Sequence, residues 1–575
     1  MKKILKYMRG FGKECVLGPL FKLLEATFEL FIPLVVASIV DDGILRGDDG
    51  YILKMCGVMI ALGIIGLICA VTAQYFAARA AVGFSGRLRH AVLSHILGLS
   101  YSQVDRLGTS TMITRMTADI EQVQNGVNLT LRLLLRSPFV VFGAMIMAFT
   151  IDIQSALVFV AVIPVLCVIV FGIMLITMPM HKRVRAALDK VTAATRQDLA
   201  GVRVLRAFCK EDSEVEAFRN DTDDLAKKQH KAGSISGLMD PVTFVVVNLG
   251  IIVLVKIGAL KVEGGILTQG LVIALYNYMS QILVELIKMA NLIVSMTKAA
   301  ACGDRIADVL DIEPDQKNGT KDASNIRGHV EFYDVTARYS SSGSPALTGV
   351  SFSAEPGQTV GIIGGTGSGK TTLANLIPRL YDVFSGIVRI DGVDVQEYDM
   401  DTLRHSIGIV PQNAVLFKGS IRQNLLWGNK DASDEALWAA LETAQAREVV
   451  KDKDGELDAP VEQGGVNFSG GQRQRLTIAR ALVRKPKILI LDDSASALDY
   501  ATDAALRKAI RSMEEPPTTF IISQRAASVR FADMIIVLDD GVMVGKGTHE
   551  ELLATNAVYQ EVFYSQFPKE VTDHE

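Results

Sequence analysis

Tryptophan is nearly absent, with two in 575 residues, and positive charge is in slight deficit: 59 Lys and Arg against 63 Asp and Glu leave a net charge of −4. A balance of that sign gives no electrostatic footprint for nucleic acid. Cysteine is scarce too. The six, Cys15, Cys56, Cys69, Cys167, Cys209 and Cys302, show no C-x-x-C spacing and lie mostly in or beside apolar runs. They read as small buried hydrophobes rather than zinc ligands or a disulfide framework. The basic start, Met1-Lys-Lys-Ile-Leu-Lys-Tyr-Met-Arg9, lacks a small-residue cleavage site. It reads as a cytoplasmic elbow before a membrane helix and not as a secretory signal.

What the chain has in excess is apolar sequence, 49% of its residues, and nearly all the long runs fall before about residue 300. A chain of this length exceeds one hydrophobic core, so two domains of different solvent are expected. Six stretches reach the ~20 residues a bilayer requires, near 16–40, 52–82, 132–151, 155–180, 238–260 and 267–295. Charge orients them. The segment 181–232 holds twelve Lys and Arg, whereas the link 41–50 holds only Arg46 and Thr150–Ser155 none. Basic loops stay inside, so both termini are expected in the cytoplasm, on a multi-pass protein of the cytoplasmic membrane.

The two cytoplasmic connections, about 83–131 and 181–237, are long and helical in pattern, so spans two to five should run on well beyond the bilayer. Their tips are expected near 105–115, in Asp105-Arg-Leu-Gly-Thr-Ser-Thr111, and near 201–208, in Gly201-Val-Arg-Val-Leu-Arg-Ala-Phe208. Each is either a plain helical hairpin turn or a short docking helix. Within the first span Lys22, Glu25 and Glu29 share one helical face, and Glu285 and Lys288 lie in the sixth. Such groups face a cavity or a neighbouring helix, with Lys22 and Glu25 spaced to pair. Asp41 and Asp42 close the first span on the outer side, as a solvated turn or as part of an external gate.

After the polar stretch Asp311-Ile-Glu-Pro-Asp-Gln-Lys-Asn-Gly-Thr320 the pattern becomes that of an α/β domain. Domain limits follow: 1–310 helical and transmembrane, 311–327 linker, 328–575 α/β. Val360–Gly364 is an apolar strand entering Gly364-Gly-Thr-Gly-Ser-Gly-Lys-Thr-Thr372, with a helix expected over Leu373–Leu380. This is a phosphate loop: Gly364, Gly365, Thr366, Gly367, Ser368 and Gly369 let backbone N–H groups close on phosphate oxygens. Lys370 supplies charge, Thr371 reaches Mg²⁺, and Thr372 continues the turn. Lys487-Ile-Leu-Ile-Leu-Asp-Asp493 is a buried-strand pattern that places Asp492 at a carboxyl end near the metal. Ser469-Gly-Gly471 opens a helix, a pattern that alone fits a simple cap and, beside a phosphate loop, fits an anion site.

Together these segments resemble the ATP-binding-cassette family, whose signature stands here as Phe468-Ser469-Gly470-Gly471-Gln472. The resemblance implies further roles. Tyr339 would stack on adenine, Gln412 would sense Mg²⁺, and Ser496-Ala497-Leu498-Asp499 would cross a dimer interface. With six spans in front, the chain resembles a bacterial half-size exporter of the multidrug type. The family assignment implies ATP-driven export of amphipathic drugs, peptides or lipid-like compounds, with ATP and Mg²⁺ bound. The two cytoplasmic tips would be coupling helices. Six spans leave no place for a soluble cassette acting on nucleic acid.

Two departures from the family pattern fall at one site. Asp493 stands where the family has a catalytic glutamate, one methylene shorter, and a general base must come within hydrogen-bond reach. Gln524, in Phe520-Ile-Ile-Ser-Gln524, stands where the family has a histidine, and glutamine cannot shuttle a proton. The remaining histidines of that domain, His329, His405, His549 and His574, lie elsewhere. Gln463 also stands where active homodimers carry glutamate. In this family each ATP lies between the phosphate loop of one chain and the signature of another. The reading is therefore a heterodimer, with a second half supplying working glutamate and histidine opposite the intact signature Ser469–Gln472. The alternatives are a homodimer with slow ATP turnover and a nucleotide-gated regulatory subunit.

Overall fold

The computed structural model describes residues 3–339 and 343–567, with His574 outside them. It forms two compact units, Met1–Leu97 with Thr109–Ile312, and Gly98–Gly108 with Glu313–Glu575.

The first unit is helical throughout its described residues. Helices α1 (Gly12–Ser38), α2 (Asp49–Leu97), α4 (Thr109–Thr114), α5 (Ile120–Leu133) and α6 (Arg136–Ile151) are followed by α7 (Ile153–Ala207), α8 (Glu211–Gly237), α9 (Met239–Glu263) and α10 (Gln269–Leu310). They merge into six runs long and apolar enough to cross a membrane, the second to fifth of 49, 43, 55 and 53 residues. At 1.5 Å per residue the longest extends roughly 80 Å, well over twice a hydrocarbon core of about 30 Å. The expected extensions beyond the bilayer are therefore present.

Small residues draw the bundle together, as they must where no water drives helices into contact. A Cβ on Gly126 of α5 would sit 2.2 Å from the Ala299 methyl of α10, and Gly18 of α1 faces Ala73 and Ala77 of α2. Phe159, Leu166, Leu254, Leu275 and Met279 are fully buried between α7, α9 and α10, and the Tyr278 hydroxyl donates to the Leu30 carbonyl at 2.6 Å. Outward, Leu53, Leu67, Val168 and Leu175 are largely bare, an apolar surface suited to lipid.

The cytoplasmic tips differ from their sequence reading. The first short helix is α3 (Tyr101–Leu107), earlier than 105–115, and it belongs to the α/β unit. Ser100 and Gln103 form a capping box at its start, and Gly108 (φ +75°) ends it. Residues 109–119 are instead a new helical run leading into α5. Likewise 201–208 is no separate helix. Nothing in Val202–Ala207 breaks the α-helix, so α7 runs to Ala207 and turns at Cys209, φ 51°.

The second unit carries a ten-stranded sheet. Its strands include β1 (Val330–Ala337), β2 (Leu347–Ala354), β3 (Thr359–Gly364), β4 (Ser385–Ile390), β5 (Val393–Asp394) and β6 (Ile407–Val410). After the short pair β7 (Gly419–Ser420) and β8 (Pro460–Val461) come β9 (Ile488–Asp492), β10 (Thr518–Ile522), β11 (Met534–Asp539) and β12 (Val542–Gly547). The sheet order is β5-β4-β1-β2-β12-β11-β3-β10-β9-β6. The run β11-β3-β10-β9-β6 is parallel, and its register sets Ile522 beside both Ile362 and Asp492, so the carboxyl ends of β3, β9 and β10 open together. Ligands of open α/β sheets sit at that edge. Helix α11 (Lys370–Leu376) follows the loop after β3 and stops short of the expected Leu380, because Pro378 cannot continue the helical hydrogen bonding. The later part of the segment 311–327 read as a linker is packed: Ala323 and Ile326 are buried, and Lys321 bridges to Tyr398.

Candidate functional site

The loop between β3 and α11 lies close against its neighbours at two glycines. A Cβ on Gly364 would fall 2.1 Å from the Leu538 carbonyl oxygen, and one on Gly369, with φ +92°, 2.4 Å from that of Ala346. No larger residue fits either position without moving backbone. Lys370 folds back over this loop, donating to the carbonyls of Gly364 at 3.0 Å and Gly365 at 2.5 Å, with Ser368 Oγ at 3.4 Å. Burial holds its ammonium below the usual lysine range, while Asp492 and Asp493 pull the other way. At the end of β9, Asp492 accepts from the Thr371 hydroxyl at 3.2 Å, and burial pushes its carboxyl above the usual aspartate range. Neither charge has a close counter-ion among the described residues. The pair suits an anion of several oxygens together with a cation.

Eleven of the residues singled out from sequence line one cavity of about 290 Å³: Tyr339, Thr366, Gly367, Gly369, Lys370, Thr371, Thr372, Gln412, Asp492, Asp493 and Gln524. Gly364, Gly365 and Ser368, of the same loop, are not among its lining residues. Tyr339 is half exposed rather than part of the core, its hydroxyl 2.8 Å from Thr372 Oγ1. Asp493 holds φ 46°, a left-handed backbone that aspartate adopts more readily than most residues. The Gln412 amide donates toward Asp493 Oδ2 at 3.4 Å, and the Gln524 carbonyl accepts from Gln566 Nε2 at 2.8 Å.

The signature segment lies apart from that cavity. Ser469 caps the helix Gly470–Val483: its Oγ accepts from the Gln472 N–H at 3.3 Å, and Gln472 Oε1 accepts from the Ser469 N–H at 3.0 Å. Phe468 is a core residue under the Lys453 ammonium. Ser496–Asp499 lies beside the signature: the Ala497 carbonyl is 2.9 Å from where a Cβ on Gly471 would stand, and Leu498 is buried. Asp499 caps the helix Tyr500–Arg511 through the Thr502 N–H at 2.8 Å. Ser469, Gly470 and Gln472 thus present a capped helix N-terminus that this chain's own cavity does not use.

Paired domains of this kind point to one family, and comparison with known proteins agrees. Residues 15–286 match the family model of the ABC transporter transmembrane region and residues 347–496 that of the ABC transporter. An uncharacterised ABC transporter ATP-binding protein of Bacillus subtilis, YfiB, is 35% identical over 570 residues, 99% of each chain. The chain belongs to the half-size ABC exporters. Another relative, an uncharacterised ABC transporter ATP-binding protein of Mycobacterium tuberculosis, is 36% identical over 98% of this chain and 97% of its own. The ATP-dependent lipid A-core flippase of Salmonella typhimurium is 28% identical over 95% and 94%. As an ABC exporter half, the chain is a multi-pass membrane protein that works as a dimer in the bilayer, binds ATP and couples its hydrolysis to transport.

In the membrane half of this exporter the ionisable groups singled out from sequence all have partners. Lys22 meets Glu25 at 2.5 Å, as spacing indicated. Glu29 and Glu285 both pair with Arg136, at 2.6 and 2.5 Å, and Glu285 also takes Ser137 at 2.8 Å and Lys288 at 2.9 Å. Arg136 escaped the sequence reading, although an arginine inside the third apolar run, four residues after Arg132, was a signal for it. Asp41 accepts from the Gly270 N–H at 2.8 Å and from the Thr268 hydroxyl, tying α1 to the start of α10, and Asp42 pairs with Arg46 at 2.8 Å. Tyr381, beside Tyr339, was also missed. No motif marks it.

Proposed function

We propose that this chain is the site-impaired half of a heterodimeric exporter that moves amphipathic drug, peptide or lipid-like compounds out across the cytoplasmic membrane. The observation that carries this reading is that Asp493 and Gln524 line the same cavity as Lys370, Thr371 and Asp492. Loop Gly364–Gly369 and Lys370 hold the ATP phosphates, and Tyr339 offers a ring to the base. The oxygens of Thr371, Gln412 and Asp492 are hard donors that fit Mg²⁺, which when bound neutralises phosphate charge. Asp493 reaches one methylene less far than glutamate and is engaged by Gln412, so it orients water poorly. Gln524 donates a hydrogen bond to phosphate but moves no proton.

Ser469–Gln472 and Ser496–Asp499 stand outside this cavity, which fits their service at the partner's ATP. A second exporter half with catalytic glutamate and histidine then completes the productive site. The basic segment 181–232 supports cytoplasmic termini. The flippase relative supports an amphipathic cargo. ATP brings the cassettes together and biases the bundle toward an outward-open state, and turnover at the partner's site resets it.

The test is ATP turnover by the purified full-length chain alone in lipid nanodiscs, beside the Asp493→Glu/Gln524→His double variant. The unmodified chain is expected near background and the double variant to rise on the order of 10²-fold. Brisk turnover by the unmodified chain would overturn the impaired-site reading.

A further inference from the structure

The nucleotide cavity is connected to α3 by a short series of tyrosines. Tyr339 presents its ring to Tyr381 in an edge contact, centroids 5.1 Å apart and planes at 84°. The Tyr381 hydroxyl donates to Asp105 Oδ2 at 2.6 Å, and its ring lies 6.1 Å from that of Tyr101. Tyr339 is meanwhile fixed at the phosphate loop through Thr372. All five residues belong to the α/β unit.

Each link constrains the next. Tyr339 is 49% exposed, which leaves ring surface for a base while Tyr381 holds another part of it. An aromatic edge contact is directional, so pinning one ring restricts the other. Burial, then the Asp105 carboxylate, raise the Tyr381 phenol above the usual tyrosine range, so it stays a donor at working pH. Asp105 has no other hydrogen-bond partner among the described residues. The receiving helix is stiff: the capping box of Ser100 and Gln103 closes one end, and the Gln103 amide donates to the Glu313 carbonyl at 2.7 Å.

We propose that Tyr381 is a positioning residue that links the Tyr339 ring to α3 through Asp105, so that this cytoplasmic tip senses the base of the bound nucleotide and not only its phosphates. The proposal rests on Tyr339 as the base-stacking residue. A triphosphate lacking a purine would then fill the phosphate loop without ordering α3.

The experiment is amide hydrogen exchange on the full-length exporter in nanodiscs, with and without ATP and with tripolyphosphate as a base-free probe. In the unmodified chain ATP is expected to slow exchange in both the phosphate loop and α3, and tripolyphosphate in the phosphate loop alone. Tyr381→Phe keeps the ring and removes the donor. It should leave ATP affinity within about twofold while the ATP-dependent slowing at α3 falls about fivefold or more. Asp105→Asn removes the charge that receives that donor and should act in the same direction, and the double variant should be no worse than the stronger single.

Equal slowing of α3 by ATP and tripolyphosphate would overturn the proposal, as would a Tyr381→Phe chain whose α3 still responds fully. Loss of phosphate-loop and α3 protection together in Tyr381→Phe would overturn it too, by making the residue part of nucleotide binding itself. Absence of phosphate-loop protection by ATP in the unmodified chain would instead bring down the nucleotide-site reading, and this proposal with it.

Discussion

Buried charge is treated in opposite ways at two places in the molecule, one in each unit. In the helical unit Arg136 sits between Glu29 and Glu285, and Lys288 and Ser137 complete the set, so each charge meets its opposite within the chain. In the α/β unit Lys370 reaches only carbonyls and a hydroxyl, and Asp492 only a hydroxyl. The first arrangement is complete and reads as scaffold. The second is incomplete without a ligand, and polar groups left so are the mark of a working site.

The largest expected effect breaks the second arrangement. Lys370→Ala should weaken ATP binding about 100-fold or more while leaving the melting temperature of the nucleotide-free exporter unchanged or raised, because the burial cost of an ammonium with no carboxylate within ion-pair distance outweighs the pull of Asp492 and Asp493. Nucleotide titration and thermal melting on the same sample check both halves.

Breaking the first arrangement should do the reverse. Arg136→Met leaves Glu285 buried beside only Lys288 and should cost about 3–5 kcal/mol of stability, with ATP affinity retained. Adding Glu285→Gln and Glu29→Gln should recover much of it. Thermal melting of the series in one lipid would decide; a single variant as stable as the parent would contradict a scaffold role.

Acid should act on the same contrast. The Asp492 carboxyl lies above its unfolded value, so the proton-bound form favours the fold. Its contribution to nucleotide-free stability is present below the ordinary aspartate range and is lost as pH rises through the raised value. Mg²⁺ needs the carboxylate, so the Mg²⁺ dependence of ATP binding should weaken on acidification earlier than for an ordinary aspartate. Magnesium titrations at stepped pH, with Asp492→Asn as the pH-flat reference, test the sign.

Ser469→Ala should have the smallest effect on the chain itself. Loss of the cap costs about 1 kcal/mol. ATP binding to this chain's own cavity should be unaffected, because Ser469 lies outside it, while the proposed service of that helix N-terminus at the partner's site predicts that turnover by the assembled exporter falls. A binding defect in the isolated chain would contradict the separation seen here.

Spans and phosphate loop were legible because both follow from local rules. A bilayer demands about 20 apolar residues, and Gly364 and Gly369 stand where a Cβ would strike the Leu538 and Ala346 carbonyls. Contacts between distant parts of the chain were not. Arg136 and Glu285 are 149 residues apart, and Tyr381 and Asp105 276 apart. The first tip was placed late, near 105–115, although its helix is Tyr101–Leu107. Gly108 is its end, and the start was written in Ser100-Tyr-Ser-Gln103, a capping-box spacing. At the second tip, Gly201 was read as a turn signal, yet a single glycine in an otherwise helical run does not stop a helix.

The heterodimer proposed above requires that this exporter half work beside a different one. Its most direct test is purification of the tagged chain from native membranes in mild detergent, with intact-complex mass and subunit identification. The account predicts a one-to-one complex with another exporter half that carries glutamate and histidine where this chain has Asp493 and Gln524. A stable complex of two copies of this chain, with no second half, would contradict it.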